Sequence, residues 1–124
     1  MTMAYTVAAN DKGEYVHVVH SGAAVPAEIL AARAEAVRLL IARRWQRFLV
    51  DLQQVQNAFS VMDHFHLVSS AAAQSEIVST AIALVIDVGD FEDFRFVEDL
   101  AVNRGLNLKI FADAGAAAAW LAEQ

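Results

Sequence analysis

The first part of the chain contains two short runs of apolar and polar residues separated by a polar turn. Tyr5 to Ala9 and Glu14 to His20 are rich in β-branched and aromatic residues, which favour strands. Asn10-Asp11-Lys12-Gly13 lies between them, and Asn and Gly tolerate the positive φ angles of hairpin turns. The pattern predicts two antiparallel strands, the second ending at Ser21-Gly22.

A helical period begins after this hairpin. Pro26 stands at a position where proline is favoured, the first residue of a helix, whereas Val25 before it offers no side chain to cap the helix. Apolar residues then recur at spacings of three and four as far as about Arg44. The predicted core stripe of this helix consists of Ile29, Leu30, Val37, Leu40 and Ile41.

The middle of the chain alternates apolar strands with a helix. Phe48 to Leu52 and Thr80 to Ile86 are short apolar runs typical of buried strands. After an irregular stretch that follows Leu52, Ser60 can cap a helix from Val61 to about Gln74.

The last third repeats the strand and helix alternation. Asp90 is predicted to cap a third long helix, and Gly105 to end it in the left-handed conformation. Leu108 to Phe111 is the last predicted strand. Asp113 then caps a final helix whose predicted inner face is Ala116, Ala117, Trp120 and Leu121.

Strands that alternate with helices imply right-handed crossovers and a mostly parallel sheet. We therefore predict a single α/β domain over residues 1–124, with a mixed five-stranded sheet and about four helices packed on it. Its N-terminal hairpin is antiparallel and the remaining strands are mostly parallel.

Composition narrows the class of protein. The chain contains no cysteine, which excludes disulfides and thiolate metal sites, and its formal net charge is −6. A chain this acidic repels phosphate backbones, so we expect no nucleic-acid partner. No apolar run is long enough to span a membrane and no signal peptide is apparent, so we expect a cytoplasmic protein without membrane insertion.

The hydrophobic content, 57%, is high for so small a domain. A small domain has much surface per residue, so part of this apolar material must lie outside the core. A homodimer or an apolar ligand pocket would account for it.

Several of these segments together resemble the SpoIIAA-like family, a group related in fold to STAS domains. The residues that carry the resemblance are Ser21-Gly22, Phe48 to Leu52, Phe96, Asn103-Arg104-Gly105, Phe111-Ala112-Asp113 and Ala118-Ala119-Trp120-Leu121. The resemblance covers nearly the whole chain. It implies a mixed sheet of four or five strands with helices packed against it, and many members of the family have no assigned activity.

Ser60 is a candidate phosphoacceptor on the same resemblance. STAS domains that antagonise anti-sigma factors carry a phosphorylatable serine at the start of the second helix, and Ser60 lies at the matching distance from Asp51. The surrounding residues, Phe59, Val61 and Met62, depart from that family's serine-rich pattern. A plain helix cap is the alternative interpretation of Ser60.

Two carboxylates follow neighbouring strands. Asp51 and Asp87 lie near the carboxyl ends of predicted parallel strands, where open α/β sheets bind ligands. They are candidate ligand-edge or acid–base groups, or they bond to nearby loop N–H groups. No catalytic constellation or cofactor motif accompanies them, so we expect neither enzymatic activity nor a cofactor.

The histidines give no metal-ligand spacing. His64 and His66 are two apart on a helix and point in different directions, while His17 and His20 are three apart on a strand and face opposite sides. We therefore predict no metal site. His17 and His20 are expected to be partly buried or at an edge.

Aromatic residues are frequent around the second and third predicted helices. Core packing explains them, but an apolar cleft bordered by Phe59, Phe65 and Phe94 is the sharper hypothesis. The leading functional hypothesis is a non-enzymatic STAS-like regulatory or protein-interaction module, which we expect to be a homodimer with an unknown protein partner. The alternative is a carrier or sensor of a small apolar ligand in that cleft.

Overall fold

The computed structural model describes residues 3–56 and 59–124. Residues 1 and 2, on which the expected lack of a signal peptide partly rests, and residues 57 and 58, in the stretch expected to be irregular, lie outside the described residues. The strands are β1 (Ala4–Asn10), β2 (Tyr15–Ala23), β3 (Arg47–Gln56), β4 (Ala81–Val85) and β5 (Asn107–Phe111). The helices are α1 (Pro26–Arg43), α2 (Val61–Ala72), α3 (Ser75–Val78), α4 (Phe91–Asn103) and α5 (Ala114–Ala122), and a 3-10 turn (Val88–Asp90) precedes α4.

The five strands form one mixed sheet in the order β1-β2-β3-β4-β5. β1 pairs antiparallel with β2, and β2, β3, β4 and β5 are parallel. This confirms the predicted fold class, and it places the first strand at the edge of the sheet.

The helices cover the two faces of the sheet unequally. Side chains of α1, α2 and α4 share one apolar cluster with the sheet, whereas α5 packs on the opposite face, mainly against β4 and β3. α2 packs more closely on α4 than on any strand. It therefore forms an outer cover over the middle of the sheet.

The stripe of α1 that faces the core differs from the predicted one. Ala32 and Ala36 are buried together with Val37 and Leu40, whereas Leu30 and Ile41 are 45% and 59% exposed. The prediction was wrong at these positions because small alanine side chains let the helix approach the sheet, and this sets which side of the helix faces inward.

The opposite face is packed with small residues. Ala81, Ala83 and Val85 of β4 lie beneath Ala117 and Leu121 of α5, and all five are almost completely buried. Of the four residues predicted for the inner side of α5, Ala116 is exposed.

The hairpin turn closes differently from the predicted one. Glu14, with φ of 54°, adopts the left-handed conformation, and neither Asn10 nor Gly13 does. Asn10 instead accepts a hydrogen bond from the Gly13 N–H at 2.8 Å through its side chain. A Cβ on Gly13 would lie 2.5 Å from the Tyr15 ring, which explains the glycine.

Two strands are longer than predicted. β2 continues through Ser21 and Gly22 to Ala23, and β3 continues to Gln56, four residues beyond its predicted end at Leu52. The two strands pair over this extension after a register shift between Val19 and Ser21. Gly22, with φ of 89°, supplies the conformation that follows the shift.

The helix ends follow the predicted capping residues in most cases. Val25 provides no side-chain cap, Asp113 accepts from the Ala116 N–H at 3.0 Å, and Gly105 has a φ of 87°. Asp90 occupies the N-cap position of α4 as predicted, but its side chain makes no cap hydrogen bond, because the residue also ends the 3-10 turn. The second predicted helix ends at Ala72, and the short α3 follows it.

Candidate functional site

A cavity of about 140 Å³ lies between the sheet and the three helices that cover it. Its floor is formed by inward-facing residues of four strands, among them Val18, Phe48, Leu84 and Leu108. Its walls come from α1, α2 and α4. The cavity exists because α1 packs on β1 and β2 and α4 packs on β5, while α2 bridges the helices without lying directly on β3 and β4.

The size of the cavity indicates what it could hold. Apolar cavities of about 150 Å³ take up molecules such as benzene or xenon. This cavity therefore has the dimensions of a site for one small apolar molecule.

His64 stands in the aromatic wall of the cavity. Its ring lies 5.7 Å from that of Phe59 and 5.3 Å from that of Phe94, both in edge-to-face geometry. Burial lowers the pKa of His64, and the carboxylates of Asp93 and Asp63 partly oppose that shift. The imidazole is therefore favoured in its neutral form.

Of the three aromatic residues proposed as a cleft, the structure brings together two. Phe59 and Phe94 line the cavity. Phe65 lies outside it, 40% exposed, with the Arg104 guanidinium 4.8 Å from its ring centroid. His64 and Phe65 are consecutive residues of α2 and therefore point in directions about 100° apart, His64 inward and Phe65 outward.

His20 is the second histidine in the cavity wall, and it is only 1% exposed. Its Nδ1 atom is buried without a hydrogen-bond partner among the described residues. Burial lowers the pKa of His20 to about 4, so the ring is neutral at physiological pH. The expectation of a partly buried or edge position was wrong for His20, whereas His17, on the other side of the sheet, is partly buried as expected. The alternation of Val16, Val18 and His20 was the signal that could have found it.

Arg33 closes the cavity wall between α1 and α2. It donates to the Leu67 carbonyl at 2.9 Å and to the Ser70 hydroxyl at 2.8 Å. Burial lowers the pKa of Arg33, and in the described part of the chain no carboxylate oxygen lies within 4 Å of its guanidinium. The site thus holds a partly desolvated cation whose only identified protein partners are neutral.

A narrow cleft of about 20 Å³ adjoins the cavity at the carboxyl end of the strands. It shares Phe59, His64 and Phe94 with the cavity and is bordered by Asp90 and Asp93. The cavity therefore has an acidic end near His64 and a cationic side at Arg33.

Ser60 forms a capping box at the start of α2. Its hydroxyl accepts from the Asp63 N–H at 3.0 Å, and its own N–H donates to the Asp63 carboxylate at 3.0 Å. The hydroxyl is on the surface, close to that carboxylate. A phosphate on Ser60 would place two anions side by side.

Asp51 lies within β3, five residues before its end, rather than near the end of a strand as predicted, whereas Asp87 lies just beyond the end of β4. Asp51 accepts from the Gln53 N–H at 2.9 Å, whereas Asp87 precedes the 3-10 turn and makes no side-chain cap bond to it. Asp51 lies on the α5 side of the sheet, away from the cavity. Within residues 3–56 and 59–124, no group of three or more His, Asp or Glu side chains has an arrangement that could hold a metal ion.

A second, wider depression of about 430 Å³ lies at the amino-terminal ends of β3, β4 and β5. Arg44, Trp45 and Arg47 are among the residues around it. Arg47 is already bound to backbone carbonyls, those of Gly13 at 3.4 Å and Gln124 at 2.6 Å. This surface is more polar than the lining of the first cavity.

The part of the chain that the structure describes contains no helix long and apolar enough to cross a membrane.

Comparison with solved structures identifies the architecture. An anti-sigma factor antagonist from Mycobacterium paratuberculosis superimposes with a TM-score of 0.62 at 15% sequence identity, covering 97% of this chain and 94% of the other. An uncharacterised protein with a SpoIIAA-like fold from Shewanella loihica superimposes with a TM-score of 0.60 at 13% identity, covering 96% and 93%. No family model and no curated protein matches the chain. The chain therefore has the SpoIIAA-like, STAS-like fold that its sequence resembles.

Proposed function

We propose that the chain is a cytoplasmic, non-enzymatic regulatory module that binds another protein through the outer face of α2. The observation that carries the proposal is a group of exposed apolar side chains there: Val61, Met62 and Phe65 are 67%, 59% and 40% exposed. Phe65 is three and four residues from the other two, so the three are neighbours on one side of the helix. Exposed apolar groups of this kind are typical of protein-contact surfaces.

The fold adds support to this proposal. One protein with the same fold is described as an anti-sigma factor antagonist. We extend to this chain only a general role in regulation through protein contact, with an unidentified partner. The position of Ser60 beside the exposed group would let a modification there alter the contact, although Asp63 makes a phosphate less favourable.

We further propose that the protein is a homodimer whose interface uses the same α2 face, so that a second copy and the partner protein compete for it. A stable interface requires about 800 Å² from each subunit, more than the three side chains supply, so neighbouring parts of α4 would contribute. Phe96 and Val102 of α4 are 43% and 54% exposed and are available for this.

Matched substitutions test the location of the interface. Met62→Glu places a charge on the α2 face, and Ile41→Glu places one on α1 at an equally exposed position, 59% in each case. Light scattering coupled to size-exclusion chromatography should give a dimer for the wild type and Ile41→Glu, and a monomer for Met62→Glu. A monomeric wild type, or a dimer broken only by Ile41→Glu, would contradict the proposal.

A second candidate function is favoured by the cavity. We propose that the protein carries or senses a small apolar ligand held between the sheet and α2, where Phe59 and Phe94 supply an aromatic wall. Native mass spectrometry of freshly purified protein tests this function directly. A reproducible added mass that is missing in Ala36→Leu, a substitution that reduces the cavity, would support it. The same adduct on both proteins would place the bound molecule elsewhere.

A further inference from the structure

The ligand cavity contains one cation that its immediate surroundings do not neutralise. Arg33 lies in the cavity wall and bonds to a carbonyl and a hydroxyl, both neutral groups. A partly buried charge is costly unless it is paired, and a guanidinium has five N–H donors, of which two bonds to these groups use only part. Within the described residues no carboxylate is close enough to form an ion pair with it.

The remaining cavity surface restricts the body of a ligand. The space of about 140 Å³ is lined mostly by aliphatic and aromatic side chains, and it is close to the volume that accommodates a benzene ring. The two histidines in the wall, His20 and His64, are both favoured in their neutral forms by burial, so they add no positive charge to the cavity. Arg33 is the group in the wall that selects for charge.

We propose that the cavity binds a small monocarboxylate whose apolar body is about the size of one aromatic ring and whose carboxylate pairs with Arg33. The planar guanidinium matches a carboxylate in a two-point hydrogen bond. The acidic cleft formed by Asp90 and Asp93 lies beside His64, and it repels a carboxylate from that end. The ligand is therefore oriented with its carboxylate between α1 and α2. This inference rests on the ligand-binding function proposed above.

Arg33 also joins the two helices, so the ligand would act on α2. Its bonds to Leu67 and Ser70 fix the middle of α2 to α1. A carboxylate that draws the guanidinium into the cavity competes with these bonds. Ligand binding would then loosen the attachment of α2 to α1 and so alter the outer face of α2, where the protein contact is proposed.

Binding of two isosteric probes to the wild-type protein tests the ligand class. Benzoate carries the carboxylate, and benzamide has the same ring without the charge. Isothermal titration calorimetry should show benzoate binding about tenfold to a hundredfold more tightly than benzamide, the range expected for a charge-assisted hydrogen bond. The preference would have to overcome the net charge of −6, which disfavours anions in general.

Variants then assign the preference to Arg33. Arg33→Met should remove the preference, so that benzoate and benzamide bind equally. Arg38→Met, the same substitution at an exposed position of the same helix, should retain the wild-type preference. Toluene serves as a third, apolar probe of the cavity. Ala36→Leu, which occupies the cavity, should weaken the binding of all three probes. Far-ultraviolet circular dichroism confirms that each variant is folded, and the benzoate and benzamide comparison needs no variant.

The binding results distinguish the assignment of a carboxylate ligand from the more general proposal that the cavity binds a ligand. Toluene binding without a preference for benzoate would overturn the carboxylate assignment and retain an apolar ligand site. Benzoate binding that persists in Arg33→Met but fails in Arg38→Met would place the anion elsewhere and overturn the assignment as well. Failure of toluene, benzamide and benzoate alike would overturn both the assignment and the ligand-binding function.

Discussion

The two faces of the sheet are packed in different ways. On the α5 face, alanines of β4 meet Ala117 and Leu121 with no exposed surface left on either helix residue. On the other face, larger side chains from three helices meet the sheet and leave a cavity of about 140 Å³ with two buried histidines beside it. The comparison indicates that the α5 face is the more closely packed of the two, whereas the α2 face leaves a space in which we propose that a ligand binds.

The largest effect is expected from a truncation on the closely packed face. Leu121→Ala should lower the free energy of unfolding by about 2–5 kcal/mol, because it opens a new cavity among residues that cannot relax. Leu84→Ala should cost less, since Leu84 already borders empty space and has fewer contacts to lose. Urea denaturation measures both. An equal or larger loss for Leu84→Ala would contradict the difference between the faces.

The dependence of the free energy of unfolding on pH tests the packing of the cavity face, because this face contains the buried His20. Its pKa is lowered from 6.5 to about 4 in the folded protein, so protonation favours the unfolded chain. The neutral His20 ring contributes fully to the free energy of unfolding above about pH 6.5, and this contribution is lost as the pH falls towards about 4. The loss is on the order of 3 kcal/mol, because one pKa unit corresponds to about 1.4 kcal/mol.

The test compares each variant with the wild type, because burial lowers the pKa of His64 in the same direction. His20→Phe should show a smaller loss of stability between pH 7 and pH 4.5 in urea titrations. His66→Gln, which removes an exposed imidazole, should retain the wild-type slope. An unchanged slope in His20→Phe would contradict the buried, neutral state of His20.

Replacing a buried alanine by leucine should have opposite effects on stability on the two faces of the sheet. Ala117→Leu has no space to occupy and should cost about 1–3 kcal/mol by overpacking. Ala36→Leu is equally buried but points at the cavity, and it should leave the melting temperature unchanged or raise it. A similar loss in the two variants, measured by thermal unfolding, would mean that the cavity is not available to a side chain.

The smallest effect is expected at the N-terminus of α2. Ser60→Ala removes one half of the capping box and should cost about 1 kcal/mol. Ser75→Ala, at an exposed serine that bonds only to the neighbouring Glu76 carboxylate, should cost less. If the two substitutions have equal effects, the capping box does not stabilise α2.

The sequence was sufficient for the order of elements because each signal was local. Pro26, Gly105 and Asp113 act within a turn of their own positions, and alternation along β2 needs no knowledge of its neighbours. The ends of β2 and β3 could not be predicted, because the two strands extend by pairing with each other after a register shift.

The site was less predictable for a related reason. Phe59 and Phe94 were singled out as aromatic residues near helix starts, but their meeting depends on how α2 lies across α4. His20 was expected to be partly buried or at an edge. Neither a strand period nor a helix period indicates where packing leaves space, so the places of His20 and Arg33 in the cavity wall could not be predicted. Leu30 and Ile41 were assigned to the core from the helical spacing of large apolar residues, and the smaller Ala32 and Ala36 took that place.

A crystal structure under xenon pressure tests the central contrast most directly. We expect one strong xenon peak between the sheet and α2, near Phe59, His64 and Leu84, and none beneath α5. An interior without xenon, or a peak beneath α5 instead, would contradict the claim that one face of this sheet is packed for stability and the other holds a ligand site.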